Sequence, residues 1–279
     1  MTGKIRDEDH STEVADSIRL TMSSVNPDSF LIGEFTSDAA ESIQGKNYQA
    51  AMTYSNFTRP VWRWLWNQEV KTEENQIGPG RKGITAEQFR ELHTSFASIF
   101  PWHVRLHNLN ALDTHDTGRF KTCAIPDSQR VAAGLQFTMP GIPMIFAGDE
   151  FGLDGFNGES SRTPIPWNNE RPHDTTMIET YAALTKIRRS NSALNDGSMR
   201  FLYASDEALV FVRENGKQSI LVAATRGADN KIVLPRDVVA NLGKAENLFG
   251  GGKLTLTGTT VKVPGQKLSL NIWRLPVKG

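Results

Sequence analysis

Four short apolar runs, each stopped by polar residues and separated by segments of helical pattern, constrain this chain more than any other feature. The runs are Phe30 to Phe35 (FLIGEF), Tyr48 to Tyr54 (YQAAMTY), Leu109 to Leu112 and Ile142 to Ala147 (IPMIFA). Helices are expected at Ser11 to Val25, Ala39 to Ile43, Thr85 to Phe100, Ser128 to Met139 and Thr175 to Arg189, which gives the order αβαβαβαβα. Thr85 and Gln88 form a capping box, and Phe89, Leu92, Phe96 and Ile99 recur at three and four, as one face of a helix requires. Strands joined by helical crossovers lie parallel, so the first part of the chain reads as α/β. After Ser190 the pattern changes to short runs between Asp, Asn and Gly turns, the pattern of an antiparallel β domain.

Two of the apolar runs end in groups suited to chemistry. Leu106 to Phe120 reads LHNLNALDTHDTGRF, so Asp113, Thr114, His115, Asp116, Thr117 and Arg119 crowd the end of one strand. FLIGEF places a lone carboxyl, Glu34, between Gly33 and Phe35. Strand ends that pass into polar loops are where α/β barrels carry their functional residues. A carboxyl among apolar neighbours has its charged form disfavoured, which suits a general acid. A single Asp in a loop often caps a helix instead, and Asp116 alone leaves both readings open. The second strand end of the same type tips the balance towards a site.

FLIGEF, NALDTHDTGRF and PGIPMIFAGDEFG followed by SRTPIPW resemble, in order and spacing, the later half of the catalytic domain in the α-amylase family of glycoside hydrolases. The resemblance implies a (β/α)8 barrel followed by a small β domain, and activity on an α-glucan or other α-glucoside by a retaining mechanism. Matched to the family's motifs, Glu34 takes the place of the general acid/base and Asp116 that of the transition-state-stabilising aspartate. His115 becomes a ligand for sugar hydroxyls, and Arg119, in the same strand end, a second substrate-binding candidate. Four strands are half of the eight that close a barrel of ~250 residues. The expected architecture is therefore the second half of a (β/α)8 barrel over residues 1–192, then an antiparallel β-sandwich over 193–279.

The family's nucleophilic aspartate lies on a strand before the helix read at Ser11, so it is expected to precede Met1. Asp7 and Asp9 are not assigned to that role, because IRDEDH has no apolar strand ahead of it. Without a nucleophile the chain alone is expected to be nearly inert, and an open half-barrel is expected to self-associate through its sheet edges and the faces bearing Ile32, Leu112 and Ile145. The alternatives are a non-catalytic α-glucan-binding protein and a fragment that needs a complementing chain.

Composition supports a neutral ligand. Lys plus Arg and Asp plus Glu are 31 each, so there is no basic footprint for nucleic acid or an anionic membrane. Cys123 is the single cysteine, which excludes an internal disulfide and a multi-thiolate metal site. No signal-peptide core and no run of ~18 apolar residues stands in the sequence, so a cytoplasmic location is expected for the chain as written. No cofactor is expected. Calcium occurs in the family, but the adjacent Asp149 and Glu150 are too weak a signal to indicate it here. The stripe FTRPVWRWLW at 57–66, with Trp62, Trp64 and Trp66, is read as core packing in preference to a sugar-stacking surface.

Overall fold

The computed structural model describes residues 8–35, 43, 47–70, 83–168, 173–238 and 241–276. Residues 39–42 of the expected helix at 39–43 and most of the connection at 69–83 lie outside the described residues, as does Asp7.

The α/β part begins with α1 (Glu8–Val25) and β1 (Ile32–Phe35), followed by β2 (Ala50–Thr53) and one π-helical turn at Tyr54–Thr58 that runs into α2 (Arg59–Leu65). Next come α3 (Ala86–Ser98), α4 (Trp102–His107), β3 (Leu109–Ala111), α5 (Phe120–Cys123), α6 (Gln129–Thr138) and β4 (Ile142–Met144). The segment closes with α7 (Gly158–Ser161), α8 (Thr175–Ser190) and α9 (Ala193–Asp196). The four strands form one parallel sheet in chain order, with Glu34 opposite Met52, Met52 opposite Leu109 and Leu109 opposite Ile142. Chain-order pairing sets the ends of β1, β2 and β3, and the residues that follow them, side by side. That placement builds the site described below.

Several local expectations hold and several do not. The capping box forms, with the Thr85 hydroxyl accepting from the Gln88 amide and the Gln88 side chain accepting from the Thr85 amide. The buried face of α3, however, is Ala86, Phe89, His93 and Ala97, whereas Ile99 is exposed. The apolar count missed His93, which carries an imidazole into the core. Helix α1 starts three residues earlier than expected, and its Val14, Ile18 and Leu20 are exposed while Ala15 is buried. Leu112, expected on an open inner face, is fully buried, and its carbonyl accepts from the Trp62 indole. Ile32 is half-buried and Ile145 lies near the surface.

The tryptophan stripe is core. Trp62 stacks on Trp66 at 5.5 Å between ring centroids and meets Phe120 edge-on at 5.7 Å, and Trp64 is fully buried beside Phe89. Spacing of two puts side chains on one face of a strand but spreads them around a helix, so three bulky rings at alternate positions anchor α2 on several sides.

The β part has strands β5 (Ser198–Ala204), β6 (Ala208–Glu214), β7 (Ser219–Thr225), β8 (Val233–Pro235), β9 (Glu246–Phe249), β10 (Thr255–Thr257), β11 (Thr260–Lys262) and β12 (Ser269–Leu275). They make a five-stranded antiparallel sheet, β5-β6-β7-β12-β9, and a three-stranded one, β10-β11-β8. Strand β9 was not expected, because Glu246 and Asn247 dilute its apolar pattern. The five-stranded sheet is buried on both faces. Ala208, Val210 and Val212 pack with Val261, Leu234 and Trp273 between the sheets. Leu209 and Phe211 belong to the same core as Phe89, Leu135 and Trp64 of the α/β part. The alternation of a strand thus feeds two cores at once.

Candidate active site

Glu34 stands in β1, and its carboxyl is exposed rather than enclosed by the apolar run that precedes it. Tyr54, just past β2, donates to Glu34 Oε1 at 3.4 Å and shares a 3.0 Å hydrogen bond with the Thr114 hydroxyl. Thr114 in turn accepts from the Asp116 amide at 3.2 Å, and its own amide donates to the Thr117 hydroxyl at 2.9 Å. The loop after β3 is therefore folded on its own hydroxyls, and Tyr54 ties it to β1. Burial holds the Tyr54 hydroxyl above its ordinary pKa, opposed by the Thr114 hydrogen bond and reinforced by the nearby charges of Glu34 and Asp116. It remains a proton donor at neutral pH. The sequence reading missed Tyr54, although its position at the polar end of YQAAMTY matches that of Glu34 and Asp116.

Asp116 has two basic side chains as neighbours. His115 Nε2 lies 3.3 Å and Arg162 Nη2 3.5 Å from its Oδ1, and Arg162 Nε donates to the His115 carbonyl at 2.9 Å. A carboxylate oxygen of Glu34, one of Asp116 and a ring nitrogen of His115 all lie within 4.8 Å of one another. The side chains of His115 and Asp116 are 55% and 40% exposed, so the cluster faces solvent, where a substrate can reach it. Two carboxylates and one imidazole do not offer the six to eight oxygens that calcium takes.

The loop from Gly155 to Arg162 is pressed against this segment. A side chain at Gly118 would meet the Phe156 carbonyl at 2.6 Å, so only glycine permits the approach. Gly148 has φ of 112°, a left-handed conformation that lets the chain turn out of β4 towards that loop.

Arg119 is not a substrate ligand. It is 1% exposed, with Nη1 on Asp149 Oδ1 at 2.8 Å and on the Phe146 carbonyl, Nη2 on the carbonyls of Ala147 and Ser161, and Nε on Ser161. Every guanidinium nitrogen is held inside the protein. The sequence placed Arg119 correctly at the strand end but could not show that it points inward. A ring of backbone carbonyls and a buried carboxylate suits its planar fork better than solvent does.

Residues 2–233 match the family model described as the α-amylase catalytic domain. The chain belongs to the α-amylase family of glycoside hydrolases. A cyclomaltodextrinase from Bacillus sp is 28% identical over 208 residues, which cover 73% of this chain and 34% of that protein. Neopullulanase 2 from Thermoactinomyces vulgaris is 29% identical over 220 residues, covering 77% of this chain and 35% of that protein. The chain thus spans about a third of the length of these α-amylase family relatives. Among solved structures, a debranching enzyme from Nostoc punctiforme superposes with a TM-score of 0.82 at 22% identity, covering 92% of this chain and 54% of that one. A cyclomaltodextrinase structure gives 0.78 at 25% identity, with coverage of 94% and 43%. The parallel sheet and the antiparallel sheets together have the fold of α-amylase family proteins. Among the described residues no helix is long and apolar enough to cross a membrane.

Proposed function

We propose that this chain is the later half of an α-amylase-type (β/α)8 barrel, over residues 1–192, with a β-sandwich over 193–279, and that its parent activity is retaining cleavage or transfer at an α-glucosidic bond. Glu34 protonates the leaving oxygen, and Asp116 stabilises the positive charge that develops on the sugar ring. His115, exposed beside Asp116, donates to a sugar hydroxyl. The observation that carries this reading is the convergence of Glu34, His115 and Asp116 within 4.8 Å at the ends of two strands from opposite sides of a long sequence gap. Retaining glycosidases bring their paired carboxyls to ~5–5.5 Å. In the family pattern the attacking aspartate is a third carboxyl, on a strand ahead of α1.

The test is proton NMR of the first-formed product from a form extended to the length of the relatives. Retention at the anomeric carbon is expected, and an inverted first product overturns the mechanism. A second reading, α-glucan binding without catalysis or a fragment completed by another chain, is supported by the coverage of only 34–35% of the relatives named above. Hydrolysis of soluble starch by the chain alone would exclude it.

A further inference from the structure

Beneath the exposed cluster lies a second pair of carboxyl groups. Asp113 and Asp149 are 1% and 2% exposed. Asp113 Oδ2 accepts from the Phe120 amide at 2.6 Å, and Asp149 Oδ1 accepts from Arg119 at 2.8 Å. The other oxygen of each, Asp113 Oδ1 and Asp149 Oδ2, is buried with no donor from the protein. The two carboxyls are neighbours, close enough to hydrogen-bond to each other once one of them carries a proton. Two carboxylates cannot hydrogen-bond without a proton between them.

Charge leads to the same place. Arg119 is the one cation facing the pair among the described residues. The other groups directed at it are the Tyr181 hydroxyl from α8, the Cys123 thiol from α5 and Gln129 from α6, whose amide donates to the Asp149 carbonyl at 3.0 Å, while the Glu150 carboxyl accepts from the Gly148 amide at 2.8 Å and faces Tyr181. Two ionised carboxyls against one guanidinium leave an uncompensated negative charge in the core, which burial strongly disfavours. One bound proton makes the group neutral.

We propose that Asp149 is a neutral carboxylic acid whose Oδ2–H donates to Oδ1 of an ionised Asp113, and that this shared proton fastens together the two loops that shape the site. Asp113 opens the loop that carries His115 and Asp116, and Asp149 opens the turn leading to Gly155–Arg162, which packs on that loop. The positioning role rests on the reading of Asp116 given above, whereas the proton itself does not. Burial raises both carboxyls above their ordinary range, and Asp113 drives Asp149 well above it.

Asp149→Asn supplies a permanent N–H donor to Asp113 and keeps the oxygen facing Arg119. The chain and this variant are compared by infrared spectroscopy at pH 7 and by urea unfolding across pH. In the wild-type chain the carbonyl stretch of an undissociated carboxylic acid is expected at neutral pH, shifting in deuterium oxide and absent from the variant. A folded carboxyl raised above its unfolded value adds stability in acid and gives it up as pH rises. From about pH 5 upwards, until the folded pair releases its proton, the unfolding constant of the wild type should grow ~tenfold per pH unit relative to Asp149→Asn. Absence of the acid band, or parallel pH profiles, overturns the shared proton. A bridging water between two ionised carboxyls would give that result. To test the positioning role, NMR shifts of His115 are followed. Asp149→Asn should leave them unchanged and Asp149→Leu should displace them, with Asp113→Asn as a second route if Asp149→Leu does not fold. Unchanged His115 shifts in every folded variant without the shared hydrogen bond overturn that part alone, while failure of retaining catalysis would overturn the function and leave the proton standing.

Discussion

The imidazole of His93 should make this protein acid-labile by an amount that can be isolated. His93 is 3% exposed, Nδ1 lies 2.6 Å from the Asn56 carbonyl, Nε2 is buried without a partner, and the ring stacks on Phe89 at 6.2 Å with an interplanar angle of 5°. Burial pushes its pKa from 6.5 down to about 4, with Arg105 adding to the fall and the Asn56 hydrogen bond opposing it. Because the folded value is lowered, the unfolded chain takes up the proton first. The stabilisation is complete above pH 6.5 and is lost as pH falls from 6.5 towards 4. At 1.36 kcal/mol per pKa unit, the loss between pH 7 and pH 4.5 is about 2 to 2.5 kcal/mol. His93→Asn puts an amide nitrogen where Nδ1 stood and removes the titration. It also leaves a small cavity, whose cost does not change with pH and cancels in the comparison. Urea midpoints for both proteins at pH 7 and pH 4.5 give the difference directly. The wild type should lose about 2 to 2.5 kcal/mol more than the variant on acidification, or roughly 5 to 10 °C in a thermal melt. Equal losses would show that His93 is not held neutral by burial.

Three further outcomes are expected. In a form extended to the relatives' length, Glu34→Gln should lower turnover by ~10² or more, with activated leaving groups affected less in the glycosylation step, and equal losses on both substrate types would remove Glu34 from the acid role. Arg119→Met should destabilise by ~3 to 5 kcal/mol, because it strands a buried carboxylate, and a urea midpoint near that of the wild type combined with weakened glucan binding would return Arg119 to the substrate. Trp64→Ala should cost ~3 to 5 kcal/mol as a buried ring is lost, while Trp167→Ala, 75% exposed, should stay within about 0.5 kcal/mol, and the reverse order in thermal melts would contradict the packing assigned to the tryptophan stripe.

Much of this arrangement is legible in the sequence because it depends on local pattern. The apolar runs at 30–35 and 109–112 fixed two strands, and the residues that end them, Glu34 and Asp116, meet in space because consecutive parallel strands pair in chain order. What was not legible depends on direction. Arg119 and His115 are four residues apart in one polar segment, and only the fold shows that one turns into the core and the other out to solvent. Tyr54 escaped notice because an apolar ring with a hydroxyl is equally at home in a core. His93 was passed over because a count of apolar residues has no place for a neutral imidazole, and Asp149 was weighed only as a weak metal signal because a proton is not written in a sequence.

The two-faced burial of the five-stranded sheet has a consequence for how this molecule comes apart. A chain cut near residue 192 is divided where the sequence pattern changes, but Leu209, Phe211 and Ile272 lie on the far side of that cut in the same core as Trp64 and Phe89. Arg213, fully buried, donates to the Thr138 carbonyl across the same seam at 2.7 Å. Separating the halves would bare an oily sheet on one fragment and strip the wall from the other. The β strands therefore act less as an appended module than as the floor on which the helices of the first part stand, and the two should melt as one cooperative unit.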